Sequence, residues 1–184
     1  MNILLWALIG VFVLVIIALI YYYNRFSVLA NRIDNSLSQI DVQLKRRADL
    51  IPNLIETAKG YAKHEKGIIA EVTKARKALV GASNMEKKIK ANDKLESALK
   101  SIFALAENYP NLKANENFLE LQRELSATED KIAYSRQYYN DSILIYNNLC
   151  KTFPGNSFAK IYGRTAKDYL KIAPAERKVV KVDF

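Results

Sequence analysis

The sequence has few of the residues that build disulfides, metal centres and β-sheets. Its 184 residues include one cysteine, Cys150, and one histidine, His64. A single cysteine excludes an internal disulfide and a thiolate metal cluster. A single histidine excludes the di-metal site of four-helix bundles, which needs two Glu-x-x-His pairs. Only 6 glycines and 4 prolines are present, which argues against a β-rich or disordered chain. The glycines never approach the spacing of a phosphate-binding loop.

What the sequence does contain is a long apolar run at its N-terminus. Residues 3–20 carry no charged side chain, and as a helix they would extend about 27 Å, close to the hydrocarbon thickness of a bilayer. A cleaved signal peptide would need a basic start and a shorter apolar region, and neither is present. We therefore predict a transmembrane anchor over residues 1–24. Aromatic residues flank both ends of the run, and the predicted anchor residues are Ile3, Trp6, Ile20, Tyr21, Tyr22 and Tyr23.

The distribution of charge predicts the topology of this anchor. Only Met1 and Asn2 precede the run, whereas arginines and lysines follow it from Arg25 onward. Because positive residues stay on the cytoplasmic side, the sequence predicts a single-pass protein of the cell (inner) membrane, with its N-terminus outside. The net charge of +9 favours an anionic neighbour. That neighbour would be a lipid surface or nucleic acid, or the excess is only a soluble face. The lysines are spread over every predicted helix, as on a solvated bundle, so nucleic acid is not expected.

Beyond the anchor, apolar residues recur at spacings of three and four in four series between Phe26 and Leu149. This coiled-coil-like pattern is typical of helices that pack nearly antiparallel. The predicted fold class is all-α: an N-terminal transmembrane helix followed by an antiparallel four-helix bundle with long helices, over residues 25–153. Predicted breaks lie at residues 80–84, with Ser83 as a helix cap, at 108–117 and at 153–156. Four helices would return the chain to the membrane side.

The break between the first two helices depends on Pro52. If Asp49 caps the second helix, Pro52 falls in its first turn, where a missing N–H costs no hydrogen bond. Residues 46–48 would then form the turn between the helices. The alternative is one kinked helix, because the apolar spacing continues unbroken from Leu44 to Ile51. The turn is the favoured interpretation.

Two further groups of residues are candidates for a function. Glu65 falls on a core stripe and Arg136 lies next to another, so the two could form a buried polar pair; otherwise Glu65 turns to the rim. Residues 154–184 are predicted to be a basic amphipathic tail that lies on lipid. Its predicted lipid contacts, spaced four, three and four, are Lys160, Arg164, Lys167 and Lys171. Alternatively, the aromatic residues of the tail cap the open end of the bundle.

Two stretches form a specific motif pattern, "QIDVQLKRRADLIPNL" and "KGYAKHE", and the pattern resumes at "RQYYND", "YNN" and "FPGN". In these stretches the sequence resembles the LemA family. The resemblance implies a membrane-anchored four-helix bundle, found mostly in bacteria, with no established reaction and no cofactor. The implied function is a non-enzymatic scaffold that contacts another membrane protein, such as a membrane protease. The alternative is an accessory subunit or a hydrolase that uses His64. The oligomeric state stays open.

Overall fold

A computed structural model describes residues 2–62 and 64–170, and the described residues form helices with no strand. This confirms the predicted all-α class. Lys171 and the residues after it lie outside the described part of the chain. The helices are α1 (Asn2–Tyr61), α2 (Lys66–Val80), α3 (Met85–Ala106), α4 (Pro110–Lys113), α5 (Glu116–Lys151) and α6 (Gly155–Ile161).

The chain divides into two compact units. Unit 1 contains Met1–Ser36 and Gln137–Tyr169, and unit 2 contains Leu37–Arg136. These boundaries differ from the three segments predicted from the sequence, because α1 and α5 each contribute residues to both units. The proposed division into anchor, bundle and tail stays a prediction.

Unit 2 is a bundle of four helices: the second half of α1, then α2, α3 and the first half of α5. Its core is formed by the apolar residues that the heptad pattern predicts, and they include Ile51, Leu54, Val72, Leu95 and Ile102, each buried. Burial of such side chains contributes about 1.5–3 kcal/mol each. The sequence pattern therefore locates the core of this unit correctly.

Several helix ends also lie close to the positions predicted from the sequence. The α2–α3 connection starts at Gly81, as predicted, but the cap of α3 is Asn84 and not Ser83. The Asn84 side chain accepts a hydrogen bond from the Lys87 N–H at 2.9 Å. Pro110 occupies the first turn of α4, where a proline is tolerated. The last long helix, α5, ends at Lys151, just before the predicted "FPGN" break.

The predicted turn at residues 46–48 is wrong. Helix α1 continues without a break to Tyr61, with Pro52 inside it. Asp49 is not a helix cap: its exposed carboxylate pairs with Lys45 at 3.3 Å, one turn away in the same helix. The first break in the body lies between Tyr61 and Lys66. Gly60, a poor helix former, was the local signal for this end.

In unit 1, the first half of α1 carries the apolar run. Helix α1 is the only helix among the described residues that is long and apolar enough to cross a membrane, and an 18-residue window within it has a mean hydropathy of 3.3. The side chains of the apolar run are largely exposed, and Trp6 near its start exposes 70% of its surface. By length and composition this helix fits a membrane location.

Candidate functional site

Pro52 creates a defect in α1 that a distant residue repairs. A proline has no N–H, so the carbonyl four residues earlier, that of Ala48, loses its partner within the helix. Ala48 is buried, and a buried carbonyl without a hydrogen bond is costly. The Nε atom of Arg76, in α2, donates a hydrogen bond to this oxygen at 2.7 Å. Helix α1 therefore runs through Pro52 because α2 supplies the missing donor.

Next to this defect lies a buried charge. Arg47 exposes only 3% of its surface, pairs with Glu129 of α5 and donates to the Asn92 side chain of α3 at 3.1 Å. Burial lowers the pKa of Arg47 to about 10, and the negative charges of Glu96 and Asp93 act in the opposite direction. Arg47 thus ties three helices together at the centre of unit 2.

A groove of about 250 Å³ opens beside the defect, between α1, α2 and the start of α3. Leu44, Leu79 and the exposed Val80 provide its apolar surface. Charges of both signs surround this surface, and they include Arg76 and two ion pairs, Lys88–Asp41 and Lys45–Asp49. An apolar surface with a mixed charged rim is typical of a protein contact.

At the end of unit 2 that contains the α1–α2 turn, polar contacts join this turn to the α3–α5 connection. The Asn115 side chain donates to the Tyr61 hydroxyl at 3.1 Å, and the Tyr109 hydroxyl donates to Glu65 at 3.2 Å. Glu65 is half-buried, which matches the rim interpretation. Arg136 is buried 20 residues beyond the start of α5, about 30 Å along the helix. The structure therefore does not bring Glu65 and Arg136 together.

His64 lies in the same turn and is exposed. Among residues 2–62 and 64–170, no group of three or more histidine, cysteine, aspartate or glutamate side chains could hold a metal ion.

Unit 1 contains an aromatic cluster where the apolar run ends. Phe158 of α6 stacks on Tyr22 with ring centroids 4.4 Å apart, and Tyr162 meets the rings of Tyr23 and Phe26 edge-on. The Tyr162 hydroxyl also donates to the Leu19 carbonyl at 2.7 Å. Of the predicted anchor aromatics, Tyr22 is half-buried in this cluster, while Tyr21 and Tyr23 are about half exposed.

The predicted basic amphipathic helix does not form in the described residues. Helix α6 ends at Ile161, and Gly163 adopts a positive φ of 62°, which disfavours continuation of the helix. The residues that follow are fixed to α5 by the buried Asn147, whose amide donates to the Lys167 carbonyl at 2.9 Å and accepts from its N–H at 2.8 Å.

Because α6 ends at Ile161, the described lipid contacts Lys160, Arg164 and Lys167 do not lie on one helix. Lys160 is exposed, whereas Arg164 and Lys167 are half-buried. The Lys167 ammonium lies over the Tyr146 ring, 5.7 Å from its centroid. Lys171 lies outside the described residues. The arrangement favours the alternative interpretation, in which the aromatic residues after α5 cap this end of the helices.

Three residues with defined roles were not found by sequence reasoning: Arg76, Asn92 as a partner of Arg47, and Asn147. Their partners lie 28, 45 and 20 residues away. Two signals were available. Asn92 is a polar residue on a core stripe, and Asn147 lies within the "YNN" motif, next to the buried Tyr146.

Comparison with known proteins agrees with the motifs. Magnetosome protein MamQ of Magnetospirillum gryphiswaldense is 25% identical over 186 aligned residues, which cover 87% of this chain and 68% of MamQ. MamQ 2 of Paramagnetospirillum magneticum matches with the same identity and coverage. Protein LemA of Metamycoplasma hominis is 29% identical over 134 residues, which cover 71% of this chain and 60% of that protein. The LemA family model matches residues 36–184. The chain therefore belongs to the LemA family.

Proposed function

We propose that this protein is a membrane-tethered, non-enzymatic interaction module. A single span places its N-terminus outside the cell (inner) membrane, and unit 2 is presented in the cytoplasm to another membrane or membrane-associated protein. The observation that carries the proposal is the continuity of α1. One helix contains both the exposed apolar run and, beyond it, the defect at Pro52 that borders the groove.

The groove is the surface that we assign to the partner. Val80 exposes 62% of its surface at the groove, and its burial by a partner would remove apolar area from water. The charged rim would contribute specificity more than affinity, because its ion pairs are already formed within the chain. The partner segment is therefore expected to offer an apolar side chain flanked by charges of both signs. A membrane protease is one class of protein that could carry such a segment.

Site-specific photocrosslinking in living cells tests this assignment. A photoreactive phenylalanine analogue replaces Val80 in the full chain, and the matched control carries it at Tyr134, an α5 residue of unit 2 that is 70% exposed and lies outside the groove. We expect a discrete crosslinked protein from position 80 and none from position 134. Equal, diffuse crosslinking at both positions would contradict a specific partner at the groove.

A further inference from the structure

We propose that the segment 151–161, which contains the α5–α6 connection and helix α6, forms a second contact with the membrane, in which Phe153 of the connection and Ile161 at the end of α6 insert into the lipid interface beside the end of the apolar run. This inference rests on the proposed membrane anchoring. It replaces the basic tail helix by two apolar side chains as the lipid-contacting feature.

Ring contacts within unit 1 show which residues of α1 lie beside the start of this segment, at the end of α5. Phe26 meets Tyr146 with centroids 5.8 Å apart, and further along α1 the Arg32 guanidinium lies 6.0 Å from the Tyr138 ring. The two helices are therefore antiparallel. From Tyr146 to the end of α5 at Lys151 the helix advances about 7.5 Å. The same distance back along α1 from Phe26 leads to Tyr21, the residue that follows the apolar run.

Helix α6 is held at the same level. The Tyr162 hydroxyl bonds to the carbonyl of Leu19, which lies inside the apolar run. Phe158 stacks on Tyr22. Phe158, in the middle of α6, and Tyr162, the residue after its end, therefore lie next to the last turn of the apolar run. If the run crosses a bilayer, the surroundings of α6 are headgroups and the upper part of the acyl chains.

The exposed side chains of segment 151–161 are of the kinds found at a lipid interface. Phe153 exposes 84% of its surface and Ile161 64%. Isolated exposed apolar residues are common on proteins, but these two lie at the level where the run ends. Lys151 and Lys160 are exposed beside them. Aromatic and aliphatic side chains accompanied by lysines are the pattern of a segment that lies in a lipid interface.

The experiment measures the depth of single labels on the full chain. Cys150 is replaced by serine, and cysteines introduced one at a time at Phe153 and Ile161 carry a small environment-sensitive fluorophore. The variants are reconstituted into phosphatidylcholine–phosphatidylglycerol vesicles. Quenching is then measured with aqueous iodide and with lipids that carry a nitroxide at a shallow or a deep position of the acyl chain.

Two matched labels define the scale. Leu144 is 48% exposed in unit 1 and lies about 10 Å back along α5 from Lys151, so its label reports the aqueous side. Val11 lies within the apolar run and reports the bilayer interior. We expect the labels at positions 153 and 161 to show several-fold less iodide quenching than the label at 144, and the strongest lipid quenching by the shallow nitroxide.

Three other outcomes would contradict the inference, and each has a different meaning. If position 11 is quenched by the deep nitroxide but positions 153 and 161 behave like 144, the anchor is correct and the second contact is wrong. Protection from iodide without quenching by either lipid means that protein, such as a second copy, covers the two residues. Absence of lipid quenching at position 11 contradicts the anchor and the second contact together.

Discussion

The repair of the Pro52 defect by Arg76 makes a quantitative prediction. Replacing Arg76 with methionine keeps an apolar stem of similar length but removes the donor to the Ala48 carbonyl. A buried carbonyl left without a partner costs about 1–3 kcal/mol, and a bond from a charged donor lies in the upper part of this range. We therefore expect Arg76→Met to lower the free energy of unfolding by about 2 kcal/mol.

Combining Arg76→Met with Pro52→Ala gives a double-mutant cycle. An alanine at position 52 supplies an N–H to the Ala48 carbonyl, so this change should stabilise unit 2, by up to about 3 kcal/mol, the cost of a proline inside a helix. In that background Arg76→Met should cost much less than in the natural sequence, because the carbonyl no longer depends on Arg76. The expected coupling between the two changes is about 1–2 kcal/mol.

The assay is denaturant unfolding of the detergent-solubilised full chain, followed by far-ultraviolet circular dichroism, for the four members of the cycle. The matched control is Arg123→Met, because the Arg123 side chain is 77% exposed and its nearest carboxylate lies 3.9 Å away. The control should change stability by less than about 0.5 kcal/mol. An equal cost of Arg76→Met in both backgrounds would refute the idea that Arg76 repairs the proline defect.

Three further changes test other parts of the structure. In Gly155→Ala the new Cβ would overlap the Leu149 carbonyl oxygen, so we expect a loss of about 1–3 kcal/mol on thermal unfolding; Ser157→Ala, at an exposed neighbour, should be neutral. Arg47→Met leaves a carboxylate without its partner and should cost about 3–5 kcal/mol by the same denaturant assay. His64→Ala should leave stability and the crosslink from the groove unchanged, whereas loss of an activity in cells would support the hydrolase alternative.

The helices could be predicted because their signals are local. The absence of charge over residues 3–20 and the three–four spacing of apolar residues depend only on neighbouring positions, and they are enough to indicate a long apolar N-terminal helix and a bundle. The sequence also predicts that the last long helix returns to the start of the first, and Tyr146 of α5 lies beside Phe26 of α1 in unit 1. These features do not depend on the identity of distant partners.

The predictions failed where a distant residue decided the outcome. Local rules disfavour a proline inside a helix, and they did not include the donor that Arg76 brings from α2. The segment from Lys160 to Lys167 has amphipathic spacing, but both backbone groups of Lys167 bond to Asn147 instead of extending a helix. In both cases tertiary hydrogen bonds override the local preference.

The account depends most directly on one span that leaves unit 2 in the cytoplasm, and cysteine accessibility measures this. Cys150 is replaced by serine, although burial already raises the pKa of its thiol and slows alkylation. A cysteine at the exposed Val80 is then treated with a membrane-impermeant maleimide. We expect labelling in inside-out membrane vesicles but not in intact spheroplasts, with the chain retained in the membrane pellet after alkaline extraction. Labelling of position 80 in intact spheroplasts, or release of the chain into the alkaline supernatant, would contradict the account.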